Sequence, residues 1–573
     1  MSSVAVLARL RDALRSAVGI GARSALPALS WCDDGERAAD LECPNCAAGG
    51  SKPLVVTIDF KPPRRRRQSF RVVACDACGC RFYQAPPHAD YAADEMLTRG
   101  RASLYLQQGA GLAQLCRPLA GLARPPGARF LDIGCGFGFG LDFAVRALGW
   151  VGQGMDPAQV ARWGSERLGL RIEPRLLTAE EPELSAAFDV VMAAETLEHV
   201  ASPMDFIRRL GGCLAPGGVL VLTTPDAELV VPGSPPGQLA GLLSPELHVV
   251  LQSEASLRFL LREAGFTDVS IVRDGGALIA TASQTKQSTN AGAEPFERVL
   301  LDHLESRAGG FTPDDDLFWG FLGRAFAEAV NHADLDRAAR IRPRLAAACL
   351  SRFAIDLDHP ALPTATTRCD LATMAVLVPL NLAAILFADA MLLLAGGCDR
   401  PSLRHRLDCA ASAAQRLQRA VAELAMADPM SEELGWVSAA EAVLCQAADP
   451  LSADVVMTLK ALPPAPGNDR RRRTAMMVRA FVTMVNAGRY PEASALWRHE
   501  RLDSDIAVLG RDATFCRAVL DLQPEGDPRE AAAGFAWVCD DLKAVGPVQS
   551  DLFEQASQGL ALAQAKLVQP VQD

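Results

Sequence analysis

The segment AAETLEHV, residues 193–200, places two carboxylates and an imidazole directly behind the apolar run Phe188-Asp189-Val190-Val191-Met192. In a helix Glu195, Glu198 and His199 would stand at i, i+3 and i+4 and share one face. Such a trio can touch a substrate, hold a metal or only cap a helix. His199 is a candidate general base, because imidazole titrates near neutrality; the plainer alternative is a histidine hydrogen-bonded to a neighbouring loop. A second set precedes it. Cys43-Pro44-Asn45-Cys46 and Cys75-Asp76-Ala77-Cys78 are two C-x-x-C knuckles separated by 28 residues. Four thiolates on two tight turns suit tetrahedral zinc, and four protein ligands leave no open position for catalysis. Cys80 can replace Cys78, although Cys75 and Cys78 have the better knuckle spacing. Between the knuckles, Arg64 to Arg67 form either a solvated loop or a contact for phosphate or an acidic carrier.

The third set is a glycine-rich turn. RFLDIGCGFGFG supplies an apolar strand, then Gly134, Gly136, Gly138 and Gly140, and then the helical LDFAVRAL. Glycine lets backbone approach a ligand closely, and Asp132 sits just before the first of them. VGQGMDP follows as a second strand ending in Asp156, placed to accept both hydroxyls of a ribose. A dinucleotide fingerprint reads G-x-G-x-x-G, whereas this turn reads G-C-G-F-G with an acid inside the strand, where a ligand amine can dock.

These residues need elements to hold them. At 573 residues the chain is too long for one ordinary domain, and its 49% hydrophobic and 22% charged content is that of a globular protein. The net charge, 57 − 68 = −11, argues against general nucleic-acid affinity. Met1 to Leu29 carries Arg9, Arg11 and Arg15 among Leu7, Leu10, Leu14 and Val18, which predicts an amphipathic helix without the apolar core of a secretory signal. A cytoplasmic location and reduced thiols are therefore expected, since the 16 cysteines are scattered apart from the knuckles. Leu371–Gly397 is long enough to span a bilayer, but its Pro379, Asn381 and Asp389 favour a helix buried in a bundle. Four regions follow: a helical lead-in over 1–40, a cysteine ribbon over 41–90, an α/β domain over 91–285 where strands and helices alternate, and an all-helical domain over 286–573. A polar stretch at 283–295 marks the last boundary, and a weak echo of Arg324-Ala325-Phe326 in Arg479-Ala480-Phe481 hints at stacked helical hairpins.

With its acid two residues before G-x-G-x-G, the chain resembles the class I S-adenosylmethionine-dependent methyltransferases over about residues 125–285, including FDVVMAAETLEHV, LAPGGVLVLTTPD and LRFLLREAGF. The resemblance implies a Rossmann-like seven-stranded sheet with a terminal antiparallel hairpin, with strands near 129–133, 151–155, 171–177, 188–193, 218–224, 267–273 and 276–281. It implies that Asp132, Gly134, Gly136 and Gly138 contact the methionine end of S-adenosylmethionine, that Asp156 binds its ribose, that Thr178 and Ala179 lie near its adenine, and that Ala194 borders it. A cysteine ribbon before such a domain resembles bacterial enzymes acting on sugars, glycans or secondary metabolites, so a small-molecule or glycan-linked acceptor, methylated on oxygen or carbon, is expected. The Pro/Gly-rich segment 226–247 is a candidate substrate lid. The E-x-x-E-H pattern also resembles ubiquinone-pathway O-methyltransferases and small-RNA 2′-O-methyltransferases, some of which hold a divalent metal there; Glu195, Glu198 and His199, with His248, are the corresponding magnesium or manganese ligands. The rival readings are a non-catalytic scaffold whose helical tail binds a protein partner, and an RNA methyltransferase, which the acidic charge disfavours.

Overall fold

The computed structural model describes residues 28–32, 35–60, 68–85, 99–109, 113–178, 181–234, 236–245, 247–287, 295–424, 428–449, 455–462, 465–466, 470–500, 506–524, 526–545 and 551–568. The chain divides into two compact units, residues 1–396 with 412–435, and residues 397–411 with 436–573.

The first unit holds two sheets. In the first, β1 (Ala28–Trp31) and β2 (Arg37–Asp40) both pair antiparallel with β3 (Ser51–Phe60), followed by β4 (Gln68–Ala74) and β5 (Arg81–Tyr83). The expected helical lead-in over 1–40 is therefore strand where it is described. The ten-residue β3 offers a long edge, and Leu29 and Trp31 pack beside its buried Val56 and Ile58 and beside Val72 of β4. The arginines of the predicted first helix and Arg64 to Arg67 lie outside the described residues. One further strand, β11 (Val250–Leu251), reaches this sheet from far downstream by pairing with Phe82 and Arg81.

The second sheet contains β6 (Arg129–Ile133), β7 (Val151–Met155), β8 (Ile172–Glu173), β9 (Phe188–Ala194), β10 (Leu214–Pro225), β12 (Asp268–Asp274) and β13 (Ala277–Ser283), in the order β12-β13-β10-β9-β6-β7-β8. β13 runs antiparallel to both neighbours and the other described pairings are parallel, which is the class I methyltransferase arrangement. Central parallel strands are covered on both faces and so read as unbroken apolar runs. Accordingly Leu131, Val191, Leu220 and Leu222 are buried against Leu257 and Leu260 of the helix Glu254–Glu263. The third expected strand, 171–177, shrinks to two residues because Pro174 has no N–H for the ladder. Strand order reverses between β6 and β9, so the ligand crevice belongs at their carboxyl ends.

The change to helices near residue 286 is a change of secondary structure and not a break in packing. The helix Phe139–Arg146 presents Phe143 to Phe296, and its buried Asp142 accepts a 2.8 Å hydrogen bond from Arg307 Nε of the helix Phe296–Ala308. The apolar stretch 371–397 becomes two helices, Leu371–Leu377 and Leu382–Ala395, bent by 44°, and among the described residues no single helix is long and apolar enough to cross a membrane. Asp389 is fully buried in the second and receives both Nε and Nη2 of Arg342, the latter at 3.2 Å. Arg342 also donates Nη2 to Asp358 Oδ1 at 2.7 Å and keeps that partner when Asp389 is removed. Asp389→Ala is therefore expected to lower unfolding free energy by about 1.5–3 kcal/mol, the range for a hydrogen bond to a charged group, read as a reduced urea midpoint. An unchanged midpoint would contradict the assignment. Every described element of the second unit is a helix, with the rings of Phe481 and Trp497 4.6 Å apart in its core.

Candidate functional site

The glycine turn leaves β6 at Ile133 and enters the helix Phe139–Arg146 through Gly138, whose φ of 93° is left-handed. Gly134, at φ 72°, passes so close to Thr196 that a Cβ would lie 2.4 Å from its Oγ1. The turn is tied to β7, since Gly136 N donates to Asp156 Oδ2 at 2.9 Å and Ala158 N to Oδ1 at 2.8 Å. Asp132 is 2% exposed and its Oδ1 has no hydrogen-bond partner. Burial, with Asp156 nearby, pushes its carboxyl up to about 8. A buried acceptor without a donor costs free energy and marks a place awaiting a cationic donor. The cradle fits the methionine end and ribose of S-adenosylmethionine on these grounds. Two residues not singled out from sequence also shape it. Tyr105, on the helix Arg99–Gly109, sets its hydroxyl 3.2 Å from where a Gly136 Cβ would be, and Gln114 reaches Glu195. Neither carries a motif; a chain segment that folds back over the site is invisible to local spacing.

Of the remaining expected cofactor contacts, Ala194 ends β9 and its carbonyl accepts from Thr196 Oγ1 at 2.9 Å. Thr178 follows β8, where its hydroxyl donates to Glu181 Oε1 at 2.7 Å. Ala179 lies outside the described residues.

The acidic cluster departs from the helical picture. Glu195 takes a left-handed φ of 49° and only a single turn, Leu197–His199, follows. The i, i+3, i+4 face therefore does not form. Glu195 instead turns toward β10, accepting from Thr223 Oγ1 at 2.9 Å and from Gln114 Nε2 at 3.5 Å. Burial, then Glu198, raises its carboxyl to about 8. Glu198 accepts from Thr224 Oγ1 at 3.0 Å, and its Oε1 faces His199 Nε2 at 3.7 Å and His248 Nε2 at 4.0 Å. His199 Nδ1 lies 3.1 Å from Leu247 O and His248 Nδ1 2.8 Å from Leu242 O. A carbonyl accepts only a donor, so each Nδ1 carries the proton and each Nε2 offers a lone pair. Burial lowers both imidazoles, His248 to about 3, and keeps them neutral. The donor atoms of Glu198, His199 and His248 thus lie within 4.8 Å of one another. Three electron-pair donors with their outer nitrogens held by carbonyls are what a divalent cation requires.

In the cysteine ribbon, Cys43, Cys46, Cys75 and Cys78 bring four sulfurs within 4.8 Å of one another, with Cys43 to Cys78 at 3.7 Å and Cys46 to Cys75 at 3.6 Å. Tetrahedral Zn–S bonds of about 2.3 Å put sulfurs about 3.8 Å apart, so the thiols fit zinc. Cys80 lies 3.4 Å from Cys43 and 3.6 Å from Cys78. Hydrogen bonds from Cys78 and Cys80 hold the Cys43 thiol far below the usual range. Freshly purified protein is expected to contain about one equivalent of zinc, and Cys46→Ser to lose it. Less than about half an equivalent in the wild type would count against the site.

Residues 106–271 match a family model described as a methyltransferase domain. A ubiquinone biosynthesis O-methyltransferase of Ruegeria pomeroyi is 39% identical over 144 residues, covering 24% of this chain and 56% of the relative. Another, from Methylocella silvestris, is 41% identical over 118 residues, 20% of this chain and 43% of the relative. A tRNA U34 carboxymethyltransferase of Klebsiella pneumoniae is 34% identical over 167 residues, 27% of this chain and 48% of the relative. The chain thus spans about half the length of the curated relatives it matches.

Proposed function

We propose, from a chain whose residues 106–271 form a class I methyltransferase domain, that the protein transfers a methyl group from S-adenosylmethionine to a hydroxyl oxygen of a small-molecule or glycan-linked acceptor. The observation that carries this reading is the meeting, at one edge of one sheet, of the orphaned Asp132 carboxylate with the Glu198–His199–His248 cluster. Asp132 pairs the methionine ammonium, Asp156 accepts the ribose hydroxyls, and Gly134, Gly136 and Gly138 admit the amino-acid end past the turn. Glu198, His199 and His248 hold a divalent cation, magnesium or manganese. When bound there it lowers the pKa of an acceptor hydroxyl and orients its oxygen. Glu195 stands beside this cluster as the carboxyl nearest to hand for taking a proton, with burial raising its proton affinity above the usual carboxylate range. The acceptor oxygen forms its new bond to the methyl carbon while the old carbon–sulfur bond breaks, its electron pair staying on sulfur as the neutral thioether; the hydroxyl proton passes to a Glu195 carboxylate oxygen. In-line positioning supplies much of the rate.

O-methylation is favoured over C-methylation by the cluster, because three cation ligands at the transfer edge serve an oxygen acceptor. The similarity to ubiquinone biosynthesis O-methyltransferases supports the same choice. The test is incubation of the purified chain with methyl-labelled S-adenosylmethionine and fractionated extract of the source cells. Label is expected in a small-molecule or glycan fraction, released by ether cleavage. Label in RNA would replace the acceptor class, and no label with intact cofactor binding would favour a scaffold.

A further inference from the structure

We infer that the cysteine ribbon sets the position of His248, with Asn45 and Arg81 as positioning residues that hold the segment 226–252 against the transfer edge of the sheet. This rests on the reading of Glu198, His199 and His248 as a cation site. The physical starting point is β11, which begins two residues after His248 and pairs with β5 of the ribbon sheet. Val249 lies between the two sites. Its carbonyl accepts from Tyr83 N of the ribbon at 3.1 Å, and its N–H donates to Glu198 O at 2.7 Å. One residue therefore links the ribbon to a cation ligand and is the chain neighbour of His248.

Side chains repeat the connection at three points. Asn45, between the cysteines of the first knuckle, donates Nδ2 to Gln252 Oε1 at 2.7 Å, and the two residues are 5% and 0% exposed. Gln252 in turn accepts Ala227 N on its carbonyl at 2.8 Å, which ties in the far end of the segment. Arg81 Nη1 donates to Ala227 O at 2.6 Å and also to Val230 O. Tyr83 donates its hydroxyl to Leu243 O, next to the Leu242 carbonyl that fixes His248 Nδ1. The bonds reach the segment at its start, its middle and its end.

The chemistry explains why a metal-bound knuckle is suited to this. A short loop has little apolar surface to hold its shape, whereas four thiolates on one ion fix both knuckles and therefore the place of the Asn45 amide. The glycine turn and Asp156, by contrast, are built from β6, β7 and the helix Phe139–Arg146. The ribbon thus bears on the cation half of the site and leaves the cofactor half standing.

The experiment uses the full chain as Asn45→Ala, Arg81→Ala and Gln252→Ala, the last removing the Asn45 bond without touching the knuckle. Zinc content, S-adenosylhomocysteine affinity, Mn2+ affinity and hydrogen exchange of peptides within 244–253 are measured on each. Zinc and S-adenosylhomocysteine affinity are expected within twofold of wild type. Mn2+ affinity is expected to fall by about tenfold or more, with exchange at Val249 and Val250 faster by a similar factor. Wild-type exchange and Mn2+ affinity in Gln252→Ala and Arg81→Ala would overturn the inference, as would equal losses of Mn2+ and S-adenosylhomocysteine affinity, which signal general loosening. The parent reading fails separately, through a wild-type chain that binds neither S-adenosylhomocysteine nor Mn2+; the exchange rates still decide whether the ribbon holds the segment.

Discussion

Asp132→Asn is expected to stabilise the protein and to weaken S-adenosylmethionine binding, effects of opposite sign from one oxygen-to-nitrogen change. The carboxyl is 2% exposed, its Oδ1 lacks a partner and its folded-state pKa is raised to about 8, by burial first and by Asp156 second. In the unfolded chain an aspartate ionises near 4. Between those values the folded state binds the proton that the unfolded state has lost, so stability falls as pH rises through the window. Asparagine has no charge to desolvate and escapes that loss. The variant's melting temperature should therefore exceed wild type at pH 8, with the gap closing toward pH 4. Its cofactor affinity should drop, because the ammonium loses a charged acceptor worth about 1.5–3 kcal/mol, roughly 10- to 150-fold. Calorimetry with S-adenosylhomocysteine and melting curves at the two pH values check both halves. Wild-type affinity would remove Asp132 from the cofactor site, and a melting gap that ignores pH would refute its raised proton affinity.

How much of this was legible in the sequence depends on whether the cause is local. The glycine turn was readable because Gly134, Gly136 and Gly138 all take positive φ, a demand that falls on residue type itself. The strands were readable because burial on both faces leaves continuous apolar runs such as those around Val191 and Leu220. The cysteine set was readable for the same local reason, two tight knuckles each. The placement of Glu195 was not, since the helical spacing drawn through Glu195, Glu198 and His199 assumed a helix directly after β9, and a single left-handed residue redirects the chain. His248 entered only through resemblance. Its place is set by a strand pairing between residues 82 and 250, and no spacing rule reaches that far. The packing across residue 286 was hidden for a related reason: Phe139, Asp142 and Phe143 look like an ordinary helix beside the glycine turn, yet their partners are Phe321, Arg307 and Phe296.

The same distinction between local and assembled residues divides the expected losses of activity. Turnover of the labelled acceptor should vanish in protein freed of divalent ions other than its zinc, and return on adding magnesium. Glu198→Gln removes the one charged ligand and His248→Ala one ligand atom from the group of three, so turnover should fall by about two orders of magnitude or more and recover in part at high magnesium. Glu195→Gln should behave differently. Its carboxylate accepts from Thr223 and Gln114 and is not one of the three converging ligand atoms, and the amide keeps those contacts while losing the ability to take a proton. A loss of about 10²- to 10⁴-fold in kcat is expected, with S-adenosylhomocysteine affinity retained and no rescue by magnesium. His199→Ala decides its own role by the group it joins. Its Nδ1 is already committed to Leu247 O and its Nε2 faces Glu198, so recovery with magnesium is the expected result. A His199 variant that magnesium leaves inactive, beside a Glu195 variant that works normally, would move the proton from the carboxylate to the imidazole. Wild-type turnover in all four variants would strip the cluster of any part in the reaction.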